Sequence, residues 1–270
     1  MARIAMKIAY EGSPFSGYAR QPRLRTVEGE VVRALLRARA IDDNRSSRFE
    51  GASRTDRGVS AFGNVVAFDT WLAPAPAVRA FNAKARDVWA WAATSVPATF
   101  RARRARERWY RYHLPGDHRA SALDAALRVF QGEHDFRAFT RDKDRSIARI
   151  DAATAGREGD AVVLDFRAPS FRWNLVRRIV AAALQVEAGK ASVGDLEEAL
   201  QGTRPFDFGL APAEPLVLQD IRYDVEFDPV WDPTTEQRLH RLLDGRIRKV
   251  RFHESLLERL RAPRAVEPLI

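Results

Sequence analysis

Apolar residues recur at every second position along the opening stretch, "RIAMKIAY". Ile4, Met6, Ile8 and Tyr10 share one parity, which predicts a half-buried strand. Residues 11–25, "EGSPFSGYARQPRLR", interrupt the pattern with Gly12, Pro14, Gly17 and Pro22 and read as a loop. From Thr26 the period becomes helical. Thr26 suits the cap, Glu28 and Glu30 suit the positive end, and Val27, Val31, Leu35 and Ala38 fall on one face. "FGNVVAFDT" (62–70) predicts a strand, 74–86 a helix after Pro74, and "DVWAWAATSV" (87–96) a strand with Trp89 and Trp91 on one face. A short strand at 47–52 fits between them, so the first hundred residues read β-α-β-α-β.

The second part repeats the theme. "ERWYRYHL" (107–114) places Tyr110 and Tyr112 on one strand face, and Trp109 and Arg111 on the other. Residues 121–131 predict a helix with Leu123, Leu127 and Phe130 in register. "SIARIDAATAG" and "AVVLDFRA" predict a hairpin around "REGD". Residues 173–188 predict an apolar helix, and 192–200 a helix capped by Ser192 and Asp195 at box spacing. "PLVLQDIRYDVEF" (215–227) closes the pattern as a strand, "DPVWDP" (228–233) reads as a linker turn, and an Arg-rich tail from 234 predicts one or two helices. Interleaved helices with hairpin-like strand pairs favour an α+β fold with antiparallel sheets. The two similar runs imply two halves, 1–103 and 104–270, the second carrying the Arg-rich tail.

Composition narrows the function. Apolar residues at 46% and charged residues at 30% are globular proportions. No apolar run approaches the 18 residues of a membrane span, and no secretory leader or membrane partner is expected. The absence of cysteine removes disulfides, thiol catalysis and Cys-ligated metal; a reducing cytoplasm fits. The net charge is +9 and the sequence pI is near 10.4. Such a surface attracts phosphate backbones, although 40 of the 45 basic residues are Arg, a bias that GC-rich codons alone would produce.

Much familiar chemistry is missing. There is no G-x-G-x-x-G turn and no glycine-rich phosphate loop, so no nucleotide cofactor is expected. The five histidines lack metal-ligand spacing, and no metal is expected. "RDKDR" (141–145) reads as a solvated loop. What remains is "ASRTDRGVSA" (52–61), where Asp56 stands between Arg54 and Arg57. Cations on both sides favour its carboxylate form and leave positive charge for an anionic partner. The stretch fits a charge-balanced turn with Gly58 at positive φ. Taken alone, it fits that turn better than an ionised acid held ready for chemistry. In "FRWNLVRRIVAAAL" (171–184), Arg177 stands among Leu175, Ile179 and Ala182 at core spacing, where it requires a carboxylate partner.

These residues carry a resemblance. "SRTDRGVSAFGNVVAF" resembles the motif G-R-T-D-x-G-V-H-A-x-G-Q-V of the tRNA pseudouridine synthase A family. "AYEGSPFSGYARQP" resembles its Y-D-G-x-x-F-x-G-W-Q-R-Q segment, "RWYRYHL" its R-x-Y-x-Y strand and "GEHDFRAF" (132–139) its G-x-H-D-F-x-x-F element. "FRWNLVRRIVAAALQVEAG" resembles its F-x-x-x-M-V-R-x-I-V helix and "APAEPLVLQDIRYD" its A-P-x-x-G-L-x-L strand. The six matches run in family order over residues 4–224. Ser53 stands for the motif Gly, Ser60 for His, Asn64 for Gln, Tyr18 for Trp and Pro215 for Gly.

The resemblance implies two ferredoxin-like halves forming a long antiparallel sheet with a central cleft. It implies a cytoplasmic homodimer that binds tRNA, not DNA, and isomerises uridine to pseudouridine around positions 38–40 of the anticodon arm, without a cofactor. It assigns Asp56 as the catalytic acid, Tyr110 as the residue stacked on the flipped base, Arg177 as the partner of the acid, and Arg54 to base flipping and backbone contact. The other reading is an inactive RNA-binding protein on the same sheet. Asp56 with both arginines argues against it, since a binder has no use for that acid against phosphate.

Overall fold

Nine of the first ten residues form β1 (Ala2–Tyr10), and they are buried on both faces. Ile4, Met6 and Ile8 are fully covered, as their spacing predicts. The opposite face is also closed, because β1 lies between two strands and its polar residues are paired there. Arg3 bonds Asp69 at 3.0 Å, and Lys7 pairs with Asp220. The strand is therefore buried rather than half-buried. The computed structural model describes residues 1–203, 205–244 and 246.

The elements then follow in order: α1 (Val27–Arg37), β2 (Glu50–Gly51), β3 (Ser60–Thr70), α2 (Pro74–Asn82), β4 (Val88–Ser95), β5 (Glu107–Leu114), α3 (Ala120–Arg128), β6 (Gly132–Asp135), β7 (Ile147–Ile150), β8 (Ala152–Glu158), β9 (Ala161–Ala168), α4 (Leu175–Glu187), α5 (Val193–Gln201), β10 (Leu216–Arg222) and β11 (Asp228–Pro229). Thr26 caps α1 by accepting from Gly29 N, and Ser192 and Asp195 form the predicted capping box of α5. Helix α2 stops at Asn82, short of residue 86. The Asn82 side chain is committed to β4, donating to Ala90 O at 2.9 Å and accepting from Ala90 N at 2.8 Å.

Nine strands form one sheet in the order β11-β4-β1-β3-β10-β5-β9-β8, with β2 also paired to β3. Every pairing is antiparallel except β3 with β10, where Val217 faces Ser60 and Leu218 faces Ala61. The fold is thus α+β with a largely antiparallel sheet. Strand β2 meets β3 farther along, at Val66 and Ala67. So β2 and β10 share one side of β3 at different heights, and residues 52–59 leave the sheet between them. The buried residues of the sheet and helices, among them Val31, Leu35, Phe81, Leu123, Phe166 and Ile179, form one core cluster.

Two expectations change in detail. The hairpin around "REGD" consists of β8 and β9 alone; Ile147–Ile150 instead pairs with β6 in a separate two-stranded sheet. The closing strand ends at Arg222, and the expected linker turn contributes β11 to the edge of β4. Residues Met1–Val230 form one compact unit and those from Trp231 a second. Within the second, residues 233–244 and 246 are helical, and the remaining residues of the predicted tail, 245 and 247–270, lie outside the described residues. No helix among the described residues is long and apolar enough to cross a membrane.

Candidate active site

The loop carrying Asp56 is fastened residue by residue. Ala52 N donates to Val65 O at 2.8 Å. Next, Asn64, wholly buried, takes over. Its Oδ1 accepts from Ser53 N (3.2 Å) and Val65 N (2.8 Å), while its Nδ2 donates to Ser53 O (2.9 Å) and the Tyr10 hydroxyl (3.1 Å). That uses the full capacity of an asparagine side chain. The Tyr10 hydroxyl also lies 2.9 Å from Thr55 Oγ1, and Tyr18 N donates to Thr55 O at 3.0 Å. Past Asp56 the chain turns back through Gly58 at φ +87°, with Val59 N donating to Asp56 O. This is the positive φ that the turn reading required.

The Gly12 segment closes over this turn. A Cβ on Gly12 would lie 2.5 Å from Gly58 C and O and from Val59 O, so only glycine allows the approach. Gly12 N donates to Ser60 Oγ at 3.0 Å, which shows what a serine does at the motif's histidine position. Ser53, in place of the motif glycine, accepts from Arg108 Nε at 2.9 Å. Arg108 is 6% exposed. Its Nη2 donates to Ala52 O (3.1 Å) and Arg103 O (3.0 Å), and its Nη1 to Pro169 O. One guanidinium therefore joins the Asp56 loop, the connection into β5 and the exit of β9. It was not singled out from sequence. The signal was present, because Arg108 shares the strand parity of Tyr110 and Tyr112 and β5 is buried at every second position.

Arg177 arrives from the first turn of α4. Its Nη1 donates to Asp56 Oδ2 at 3.2 Å, its Nε donates to Ala211 O at 2.8 Å, and its carbonyl accepts from Ala211 N. The two charged side chains are 15% and 23% exposed, enough for Asp56 to meet a solute. Tyr110 lies on β5, 8% exposed, edge-on to Phe171 with ring centroids 5.2 Å apart. Burial pushes its phenol up to about 12. Arg108 and Ser53 oppose the rise, and the charge of Asp56 adds to it. Tyr110 is therefore a neutral phenol near the carboxylate at pH 7. The structure brings together Asp56, Arg177 and Tyr110. Arg54 and Arg57 are exposed, and neither has an ion-pair partner among the described residues. No group of three or more metal-ligating side chains comes together among the described residues.

The site offers one half-buried carboxylate held by one guanidinium, an aromatic ring beside it, and free cations at its margin. The family model for tRNA pseudouridine synthase matches residues 126–224. A tRNA pseudouridine synthase A from Thermococcus sibiricus is 38% identical over 264 residues, covering 95% of this chain and 97% of the relative. Its namesake from Pyrococcus abyssi is 42% identical over 234 residues (83% and 86%), and that from Pyrococcus horikoshii 39% over 241 residues (87% and 90%). The crystal structure of the archaeal box H/ACA sRNP Nop10-Cbf5 complex covers 80% of the chain and 46% of its own at a TM-score of 0.32 and 12% identity, a likeness that carries no argument. The class is that of the pseudouridine synthases, which are isomerases. Within it, the chain belongs to the tRNA pseudouridine synthase A family.

Proposed function

We propose that this protein isomerises uridine to pseudouridine in the anticodon stem-loop of tRNA, around positions 38–40, with Asp56 as its single catalytic aspartate and no cofactor. The observation that carries the assignment is the 3.2 Å contact between Arg177 and Asp56, residues 121 positions apart. The reaction breaks N1–C1′, turns the freed uracil, and joins C5 to C1′. The C5 proton is lost and N1 gains one, so oxidation state and composition are unchanged. One ionised carboxylate can attack C1′ or take the C2′ proton. Arg177 holds the acid in place.

The target base must first leave its stack, at a cost of about a few kcal/mol. Stacking on Tyr110 offsets part of it, at roughly 1–3 kcal/mol per base. Arg54, exposed and unpaired, is free to enter the space the base vacates or to hold the backbone. The same reading makes 1–103 and 104–270 two ferredoxin-like halves. The strand orders β4-β1-β3-β2 and β10-β5-β9-β8 support it, because each half repeats one permutation. It also makes the protein a cytoplasmic homodimer.

The test is Asp56→Asn assayed on an unmodified tRNA transcript, with pseudouridines mapped by position. We expect activity to fall at least 1,000-fold (~4 kcal/mol in barrier) while tRNA binding persists. An active variant would overturn the role of Asp56. Pseudouridine formed only outside positions 38–40 by the wild type would overturn the site assignment.

A further inference from the structure

Trp173 stands just ahead of α4 and is 57% exposed. Two residues earlier, Phe171 packs against Tyr110; four residues later, Arg177 pairs with Asp56. The indole is thus attached on both sides to the catalytic constellation, yet lies open to solvent. Its backbone is fixed. Trp173 O accepts from Thr140 Oγ1 at 3.1 Å and from Arg141 N at 3.3 Å, and Asn174 turns the chain into α4 at φ +63°. These bonds bring the 141–145 loop alongside, and the Arg141 guanidinium lies 5.3 Å from the indole centroid. Arg141, Lys143 and Arg145 are exposed and have no carboxylate partner among the described residues, although Asp142 and Asp144 stand between them. Arg172 anchors the far side, donating from Nη2 to Ile147 O at 2.8 Å.

An exposed indole with a cation on its ring, among further cations, matches single-stranded RNA. Unpaired bases stack on aromatic faces, arginine adds a cation–π contribution, and phosphates seek the flanking charge. We propose that Trp173, with Arg141 laid on it, is the platform on which a nucleobase flanking the target uridine stacks. The loop read from sequence as merely solvated becomes part of the substrate surface. The proposal rests on tRNA being the substrate, but not on Asp56 being the catalytic acid.

The experiment compares Trp173→Ala, Trp173→Phe and Arg141→Ala with the wild type on a full-length tRNA transcript. KM and kcat are measured in the active background, tRNA Kd in the Asp56→Asn background, and oligomeric state by light scattering. We expect Trp173→Ala to raise KM and Kd about tenfold with kcat changed less than twofold. Trp173→Phe should recover most of the loss, and Arg141→Ala should raise both constants about threefold. Unchanged KM and Kd in Trp173→Ala would overturn the platform, as would a change of oligomeric state, which would make the indole a contact between copies. Catalysis by Asp56→Asn would sink the catalytic assignment alone, leaving the KM comparison intact.

Discussion

Two arginines serve the same carboxylate loop in opposite ways. Arg108, at the start of β5, is 6% exposed, and each of its four named acceptors is a carbonyl or hydroxyl oxygen. Arg177, in α4, is more open and gives one bond to a carbonyl and one to Asp56. A cation surrounded by neutral acceptors has its geometry fixed from several directions and nothing to exchange. A cation facing one carboxylate holds a charged partner that stays open to solvent. The contrast teaches that burial and charge pairing mark different jobs: Arg108 is a positioning residue for the loop, and Arg177 a partner of the acid it carries.

The largest effect that would break this contrast lies at Arg108. Arg108→Met should destabilise the protein by about 3–5 kcal/mol, since four acceptors lose their donor at roughly 1 kcal/mol each. Denaturant midpoints should show it, with Arg108→Lys intermediate. A stability loss under about 1 kcal/mol would place Arg108 outside the scaffold. Arg177→Met should act mainly on rate, lowering kcat about 100-fold as the carboxylate loses its orienting partner, with a stability cost of roughly 1–2 kcal/mol. If its melting temperature dropped as far as that of Arg108→Met, the two arginines would have the same role.

The smallest effect at neutral pH concerns the phenols. Burial raises Tyr110 and Tyr112 to about 12 from an ordinary 10. The folded state holds these protons more tightly than the unfolded chain. Their contribution is complete below pH 10 and is lost as pH rises through about 12. Unfolding free energy measured against pH should therefore fall across that window, and Tyr110→Phe should make the slope shallower. An unaltered slope would mean that Tyr110 is not the buried phenol the site requires.

Most elements were legible from periodicity, because an amphipathic pattern needs only local sequence. Thr26 and the Ser192–Asp195 box could be read for the same reason: a cap acts within three residues. The misreadings were non-local. Helix α2 ends early because Asn82 bonds β4, and β7 leaves the hairpin because β6 offers it a partner. At the site, Asp56 and Arg177 were each visible, the first by its flanking charges and the second by its apolar surroundings. Ser53 and Ser60 stood out only as departures from a motif.

The sequence alone determined most of the elements, their order and the surplus of positive charge, since these depend on residue type and on neighbours a few positions away. Tertiary structure decided which cation meets Asp56. Arg54 and Arg57 lie nearest along the chain, yet the pairing goes to Arg177, 121 residues on. The reason is geometric. A loop leaving the sheet between β2 and β10 is closed from the other half of the chain, and Coulomb attraction follows distance in space, not in sequence.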